Sequence, residues 1–182
     1  WELMLDALSA GGPHQLMIEG DGEKFVAKDV LVGEVWLCSG QSNMAITVSR
    51  SKNAAKEEAA AKYPQIRMFK VDSGHSLEPQ QTCTGKWTVC SPETVGGFTA
   101  TGYFFGRRLH QELNVPIGLI NSSVGGTSVE SWTSMPAQTA VASIKPRLEA
   151  WQSEDAAFDE AKASAAYEKS LAAWKVKAAA AK

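Results

Sequence analysis

No stretch of the chain reaches the roughly 18–20 consecutive apolar residues that cross a bilayer, so no membrane-spanning helix is expected. Net charge is −2 over 182 residues. That leaves neither a basic field to gather polyanions nor an acidic one to repel them, and nucleic acid is not an expected partner. The opening Trp1-Glu2-Leu3-Met4 has neither the basic start nor the apolar core of a signal peptide. Nor does the chain begin with methionine, so the expectation is a piece of something longer, with any export signal upstream. Cysteine is scarce, at three residues. Cys38 lies in an apolar run and is expected to pack as a small core residue. Cys83 and Cys90 flank the turn-like Gly85-Lys86-Trp87, and a hairpin there would bring them together. A disulfide and two free thiols both stay open, because the bond needs a geometry that spacing does not fix.

What is present is the make-up of a folded protein: hydrophobic residues are 44% of the chain, ordinary for a globular domain. The length suits one medium domain, or one domain plus a fragment of another. Three zones follow one another. Residues 1–30 alternate apolar and polar positions, with Trp1, Leu3 and Leu5 in one run and Leu16 and Ile18 in a second. Ala10-Gly11-Gly12-Pro13 is the turn expected between these runs, and Asp21-Gly22 marks another. This zone reads as a β-hairpin-like end of a β-rich accessory domain.

Residues 31–144 switch to a βα pattern. Val30-Leu31-Val32 and Val35-Trp36-Leu37-Cys38 predict a strand buried on both faces, as in a parallel sheet. Ile66–Val71 predicts a second strand, and Thr99–Leu113 a helix with Ala100, Tyr103, Phe104, Leu109 and Leu113 on its apolar face. Gly102 and Gly106 would let that helix approach the sheet closely, at ~1 kcal/mol each relative to alanine. Asn114 is a natural C-cap and Pro116 blocks continuation. Ile117-Gly118-Leu119-Ile120 then predicts a short buried strand. Residues 145–182, rich in Ala, Lys and Glu, predict one or two surface helices serving as an insertion or linker.

Two loops could carry chemistry, because in open α/β sheets ligands gather beyond the carboxyl ends of strands. The first is Gly40-Gln41-Ser42-Asn43-Met44. A serine directly after a buried strand and a glycine can hold its hydroxyl outward on a tight turn, and the start of a following helix favours an oxyanion there. Met44 stands where the Gly-x-Ser-x-Gly elbow has its second glycine, which separates this loop from the α/β-hydrolases. The second is Ser122-Ser123-Val124-Gly125-Gly126-Thr127, whose paired glycines allow backbone N–H groups to point at a ligand. Glu130 and Trp132 follow closely and could buttress this loop or line a pocket. Taken singly, Ser42 could be a helix N-cap and Gly125-Gly126 a plain turn. Their occurrence in order at two strand ends favours chemistry.

The stretch Leu31-Val32-Gly33-Glu34-Val35-Trp36-Leu37-Cys38-Ser39-Gly40-Gln41-Ser42-Asn43-Met44 closely resembles the nucleophile block of the sialate O-acetylesterase family, within the SGNH hydrolases. Residues from Phe98 through Tyr103-Phe104-Phe105-Gly106 to Ile120-Asn121-Ser122-Ser123-Val124-Gly125-Gly126-Thr127-Ser128-Val129-Glu130-Ser131-Trp132 resemble its second block. Ala10-Gly11-Gly12-Pro13-His14 is similar to the end of the β-domain that precedes the catalytic fold. The resemblance runs from the start of the chain to about residue 136.

It implies a three-layer α/β/α sandwich with a flavodoxin-like parallel sheet, incomplete in this chain. It implies Ser42 as nucleophile toward an acetyl ester on a sugar hydroxyl, with the N–H groups of Ser42 and Gly126 (or Gly125) binding the oxyanion. Gln41 and Asn43 would shape the turn. An acetylated carbohydrate is the implied substrate, with no cofactor and no metal, in an exported or lysosome-like setting. Two other readings stay open: an acetylesterase for xylan or another plant polysaccharide, and a catalytically silent carbohydrate-binding or scaffold protein.

The family's Gly-Glu-Ser-Asn-type and Asp-x-x-His-type blocks are missing from these residues. A serine needs an adjacent base to become a useful nucleophile near neutral pH. His14 lies in the β-zone, His75 in a Ser-Gly-His-Ser loop, and His110 in the long helix on its expected wet side, so all three read as ordinary surface residues. The base is expected from a continuation of the chain or from a second polypeptide. Without that part, one edge of the sheet would stand open.

Overall fold

The computed structural model describes residues 4–72, 76 and 79–180; Trp1, Leu3 and His75, named above, lie outside them. The chain forms two compact units, Trp1–Val129 and Glu130–Lys182.

The first unit opens with an antiparallel hairpin, β1 (Gly11–Gly20) and β2 (Glu23–Val32). Its turn is Asp21-Gly22, with φ of 49° and 82°. Two positive φ angles match the right-handed twist of the flanking strands, which is why Asp-Gly serves here. The expected linking turn at Ala10–Pro13 does not form. Gly11, Gly12 and Pro13 open β1 instead, and Leu5 of the supposed first run is exposed and outside any strand.

Gly33 then separates β2 from β3 (Glu34–Gly40). A Cβ at position 33 would stand 2.1 Å from the Pro116 carbonyl oxygen, which accepts the N–H of Glu34 at 3.0 Å. Only glycine lets the chain pass that carbonyl and enter the sheet. The apolar run read as one approach to Ser42 is thus two strands in two sheets.

The second sheet has the order β3-β6-β4-β5, with β4 at Tyr63–Val71, β5 at Gly85–Cys90 and β6 at Ile117–Ser123. The β3, β6 and β4 strands are parallel, whereas β5 is antiparallel to β4. The fold is therefore α/β with a mixed sheet. Cys83 and Cys90 are not brought together. Gly85–Cys90 is a strand instead of a hairpin, seven steps of extended chain would carry the two residues roughly 20 Å apart, and all three cysteines are free thiols.

One face of this sheet is covered by α3 (Ala100–Leu113), whose N-cap is Thr99 and whose C-cap Asn114 adopts the left-handed conformation. Close approach uses both glycines. A Cβ on Gly102 would lie 2.8 Å from Cys38 Sγ, and one on Gly106 would lie 3.1 Å from Leu119. Tyr103, Phe98, Ile66, Ile117 and Leu119 form the buried centre, and Trp36 meets Phe105 edge-on at 5.0 Å. Leu113, expected on the apolar face, is exposed. Tyr103 also donates to Glu57, which Arg107 pairs from the same helix; burial and the Glu57 carboxylate push the phenol upward. Glu57 belongs to α2 (Ala54–Ala60).

The opposite face is open within this unit. Val35, Leu37 and Trp87 are 61%, 67% and 47% exposed. Burial of β3 on both faces is therefore not observed. Among the described residues its neighbour is β6 alone, and helical cover comes from one side. The expected free sheet edge is present along β3.

The second unit contains α4 (Met135–Thr139), α5 (Lys145–Ala156) and α6 (Glu160–Ala180); surface helices were expected from residue 145 on, and α4 lies before that point. No helix among the described residues is long and apolar enough to cross a membrane.

Candidate active site

Ser42 begins α1 (Ser42–Ala45), a single turn that leaves the carboxyl end of β3. Gly40 has a φ of +135°, which lets the strand turn sharply into it. Ser42 is exposed, and its hydroxyl donates to Gln41 Oε1 at 3.1 Å. Because α1 is only one turn long, its macrodipole is small, and any anion stabilisation must come from individual N–H groups.

The second loop lies beside the first because β3 and β6 are parallel neighbours in register, Gly40 opposite Ser123. The bond from Val124 N–H to the Gly40 carbonyl, 2.9 Å, continues the ladder one step past the strands. Gly125 then reaches the serine: a Cβ built on it would stand 3.6 Å from Ser42 Cβ and 3.8 Å from Ser42 Cα. Gly126 turns away from extended geometry with a φ of +82°. Neither glycine's N–H donates to an acceptor among the described residues. Beneath the loop, Ser123 donates to the buried Asn121 side chain at 2.6 Å, and Thr127 donates to the Val124 carbonyl at 2.8 Å.

Three donors at the start of α3 hold the turn from behind, and the sequence reading missed all three. Thr99 Oγ1 donates to the Met44 carbonyl at 2.6 Å, Thr101 Oγ1 to the Asn43 carbonyl at 3.0 Å, and Ala100 N–H to the Ile46 carbonyl at 2.8 Å. A one-turn helix satisfies few of its own carbonyls, so these bonds replace what a longer helix would supply internally. A threonine two residues past an N-cap was the available signal. Without the partner loop such a threonine reads only as a hydroxyl facing water.

The remaining candidates fall elsewhere. Glu130 belongs to the second unit, half-buried, with Arg147 Nε 3.6 Å from its carboxylate. His14 sits in β1. His110 is half-buried instead of facing solvent: Nδ1–H donates to the Val115 carbonyl at 2.8 Å and the ring meets Tyr63 edge-on. The start of α3 touches the Ser42 turn, and eleven residues of helix put His110 about 16 Å further on. No group of three or more potential metal ligands occurs among the described residues. A cavity of about 560 Å³ lies between the hairpin and the open sheet face, lined among others by Lys28, Glu34, Arg67, Trp87 and Pro116. It stands at the amino ends of β3 and β6, the far end from Ser42. Arg67 ties hairpin to sheet there, donating to the Asp29 carbonyl at 2.6 Å and carboxylate at 2.8 Å.

Residues 32–174 match the family described as carbohydrate esterase, sialic acid-specific acetylesterase. The chain belongs to that family. Human sialate O-acetylesterase is 40% identical over 147 residues, which cover 74% of this chain and 28% of that protein. The rat sialate O-acetylesterase is 38% identical over 153 residues, covering 77% and 28%. The crystal structure of a carbohydrate acetylesterase from Xanthomonas citri superposes with a TM-score of 0.72 at 42% identity, covering 74% of this chain and 31% of the other. Membership agrees with the resemblance carried by the two loop blocks. The chain spans 28% of the length of these sialate O-acetylesterases.

Proposed function

We propose that this chain supplies the nucleophile and oxyanion donors of a serine carbohydrate esterase that removes O-acetyl groups from sialic acid or a related sugar. The supporting observation is the exposed Ser42 hydroxyl with Gly125 packed against it and two glycine N–H groups unused beside it.

In this reading Ser42 Oγ attacks the acetyl carbonyl, and its proton passes to a base. The N–H groups of Ser42 and Gly126, or Gly125, receive the tetrahedral oxyanion. Such donors are typically worth ~10²–10³ in rate each. The intermediate collapses with departure of the protonated sugar hydroxyl and leaves an acetyl-serine. Water, deprotonated by the same base, then releases acetate. Gln41 accepts the serine proton in hydrogen bonding only, since an amide oxygen is no base.

The base and its orienting carboxylate come, in this proposal, from residues beyond these 182. Two observations support that: the described histidines lie away from the turn, and the match covers only 28% of the relatives' length. The open apolar face at Val35, Leu37 and Trp87 is where such residues would pack. An exported setting belongs to the same proposal and rests on the family resemblance.

Ser42→Ala in the complete protein tests the reading. Turnover of a chromogenic acetyl ester should vanish, and retained turnover would end it. Fluorophosphonate labelling of Ser42 separates an esterase from a silent binder, whose serine would not react. Acetate release from acetylated sialic acid against acetylated xylan decides between the two sugar classes.

A further inference from the structure

Along β6 every second side chain turns to the face covered by α3. Ile117 and Leu119 do so and are fully buried, paired in register with the buried Ile66 and Met68 of β4. Asn121 comes next on that face, between Cys38 of β3 and Lys70 of β4. It is only 7% exposed. Burying an amide where a leucine of similar shape would fit is unfavourable unless the amide makes a bond. Asn121 makes one: its Oδ1 accepts the Ser123 hydroxyl at 2.6 Å. Both partners belong to β6 itself, so the contact is set by the strand and needs no covering neighbour.

That bond sits where the two loops of the candidate site meet. Ser123 is the last residue of β6, in register with Gly40, and Val124 after it donates to the Gly40 carbonyl. Gly125 follows, packed against Ser42. The α1 turn, which begins with Ser42, packs against both β6 and α3. Ser123 is therefore the final side chain fixed on the strand before the diglycine. Its hydroxyl has three staggered positions, and the Asn121 amide selects one of them.

Taking the esterase reading as given, we propose that Asn121 is a positioning residue for the diglycine loop. Through Ser123 it fixes the end of β6, and so the path that carries the Gly125 and Gly126 N–H groups to Ser42. The amide earns its buried place by this role, since an apolar residue would serve the core at least as well.

The complete protein carrying Asn121→Leu, Ser123→Ala or both is the test, with kcat, KM and the thermal midpoint measured for each. On a chromogenic acetyl ester, either single change should lower kcat about tenfold, less than outright loss of an oxyanion donor, with KM near that of the parent. Fluorophosphonate labelling of Ser42 should slow in step. The double variant should be no slower than the worse single one, because both changes remove the same contact. It should also stay folded, since apolar groups replace both partners. Ser123→Thr keeps a hydroxyl and should recover the rate. Undiminished kcat in Asn121→Leu, losses that multiply in the double variant, or a Ser123→Thr as slow as Ser123→Ala would each overturn the proposal. Should Asn121→Leu not fold, the contrast between Ser123→Ala and Ser123→Thr decides. Ser42→Ala in the same assay keeps the two readings apart. Turnover surviving that change ends the esterase reading, whereas turnover that needs Ser42 but not Asn121 ends this one alone.

Discussion

Val124 donates its N–H to the Gly40 carbonyl at 2.9 Å, and that bond sets the distance between the two loops of the candidate site. It extends a parallel ladder whose last in-register pair is Gly40 and Ser123. The turn bearing Ser42 and the diglycine loop are thereby held by sheet geometry, with no side chain needed to bridge them.

The two glycines should respond differently to substitution. Gly125 has ordinary space around a new methyl, with Ser42 Cβ 3.6 Å away. Gly125→Ala should keep the melting temperature but crowd the hydroxyl, lowering kcat/KM by roughly ten- to a hundredfold. Gly126 has open space but a φ of +82°, so Gly126→Ala should cost about 1 kcal/mol of stability. Thermal unfolding and acetyl ester turnover of the two variants, side by side, check the contrast. Equal loss of stability in both would contradict it.

The donors behind the turn give a graded series. Thr99 is fully buried, donates to the Met44 carbonyl and accepts from Gly102 N–H. Thr99→Val strands a carbonyl and removes a cap, and should cost about 2 kcal/mol. Thr101→Val, at an exposed position with one bond to the Asn43 carbonyl, should cost about 1 kcal/mol or less. Both should slow fluorophosphonate labelling of Ser42, and Thr101→Ser should restore it. Labelling rates unchanged in Thr101→Val would remove that residue from the positioning of the turn.

Some of this was legible in the sequence for physical reasons. The helix from Ala100 was readable because its apolar spacing, a glycine pair and the Asn114 cap each act locally. Ser42 and Gly125-Gly126 were readable because each follows a β-rich apolar run. The break at Gly33 was not, since its cause is a carbonyl of Pro116 far along the chain. Exposure of Val35 and Leu37 was equally hidden: periodicity reports that side chains are apolar, and the neighbours that would cover them are a tertiary matter. The strand Gly85–Cys90 was misread because Gly85 suggested a turn. It is there because a Cβ would collide with Phe69 and the Lys70 carbonyl across the ladder.

Gly102 separates helix propensity from packing. In an exposed helix, Gly→Ala gains ~1 kcal/mol. Here the added Cβ would lie 2.7 Å from Thr99 Cγ2 and 2.8 Å from Cys38 Sγ, both fully buried neighbours that cannot yield freely. Gly102→Ala should therefore destabilise by about 1–3 kcal/mol. Urea unfolding decides the sign, and a gain in midpoint would show that the helix can lift off the sheet without cost.

The thiols offer a probe of the core. Cys83 is exposed, while Cys38 and Cys90 are buried. Burial lifts Cys90 from the usual value near 9 to about 11, with the Glu57 carboxylate adding to the rise and a Tyr63 backbone contact opposing it. Cys38 is raised by burial as well. The thiolate is the reactive form, so near pH 8 the native protein should show one fast thiol toward a maleimide or disulfide reagent, Cys83, and three after unfolding. Linkage fixes the pH trend. Between about 9 and about 11 the unfolded chain has released the Cys90 proton while the folded chain still holds it, so stability falls as pH rises through that window. Cys90→Ala should flatten the fall, at a cost for the lost packing of the sulfur. Fast labelling of Cys90 in the native state at pH 8 would show that the end of β5 opens to solvent, and the alkaline slope should then disappear with it.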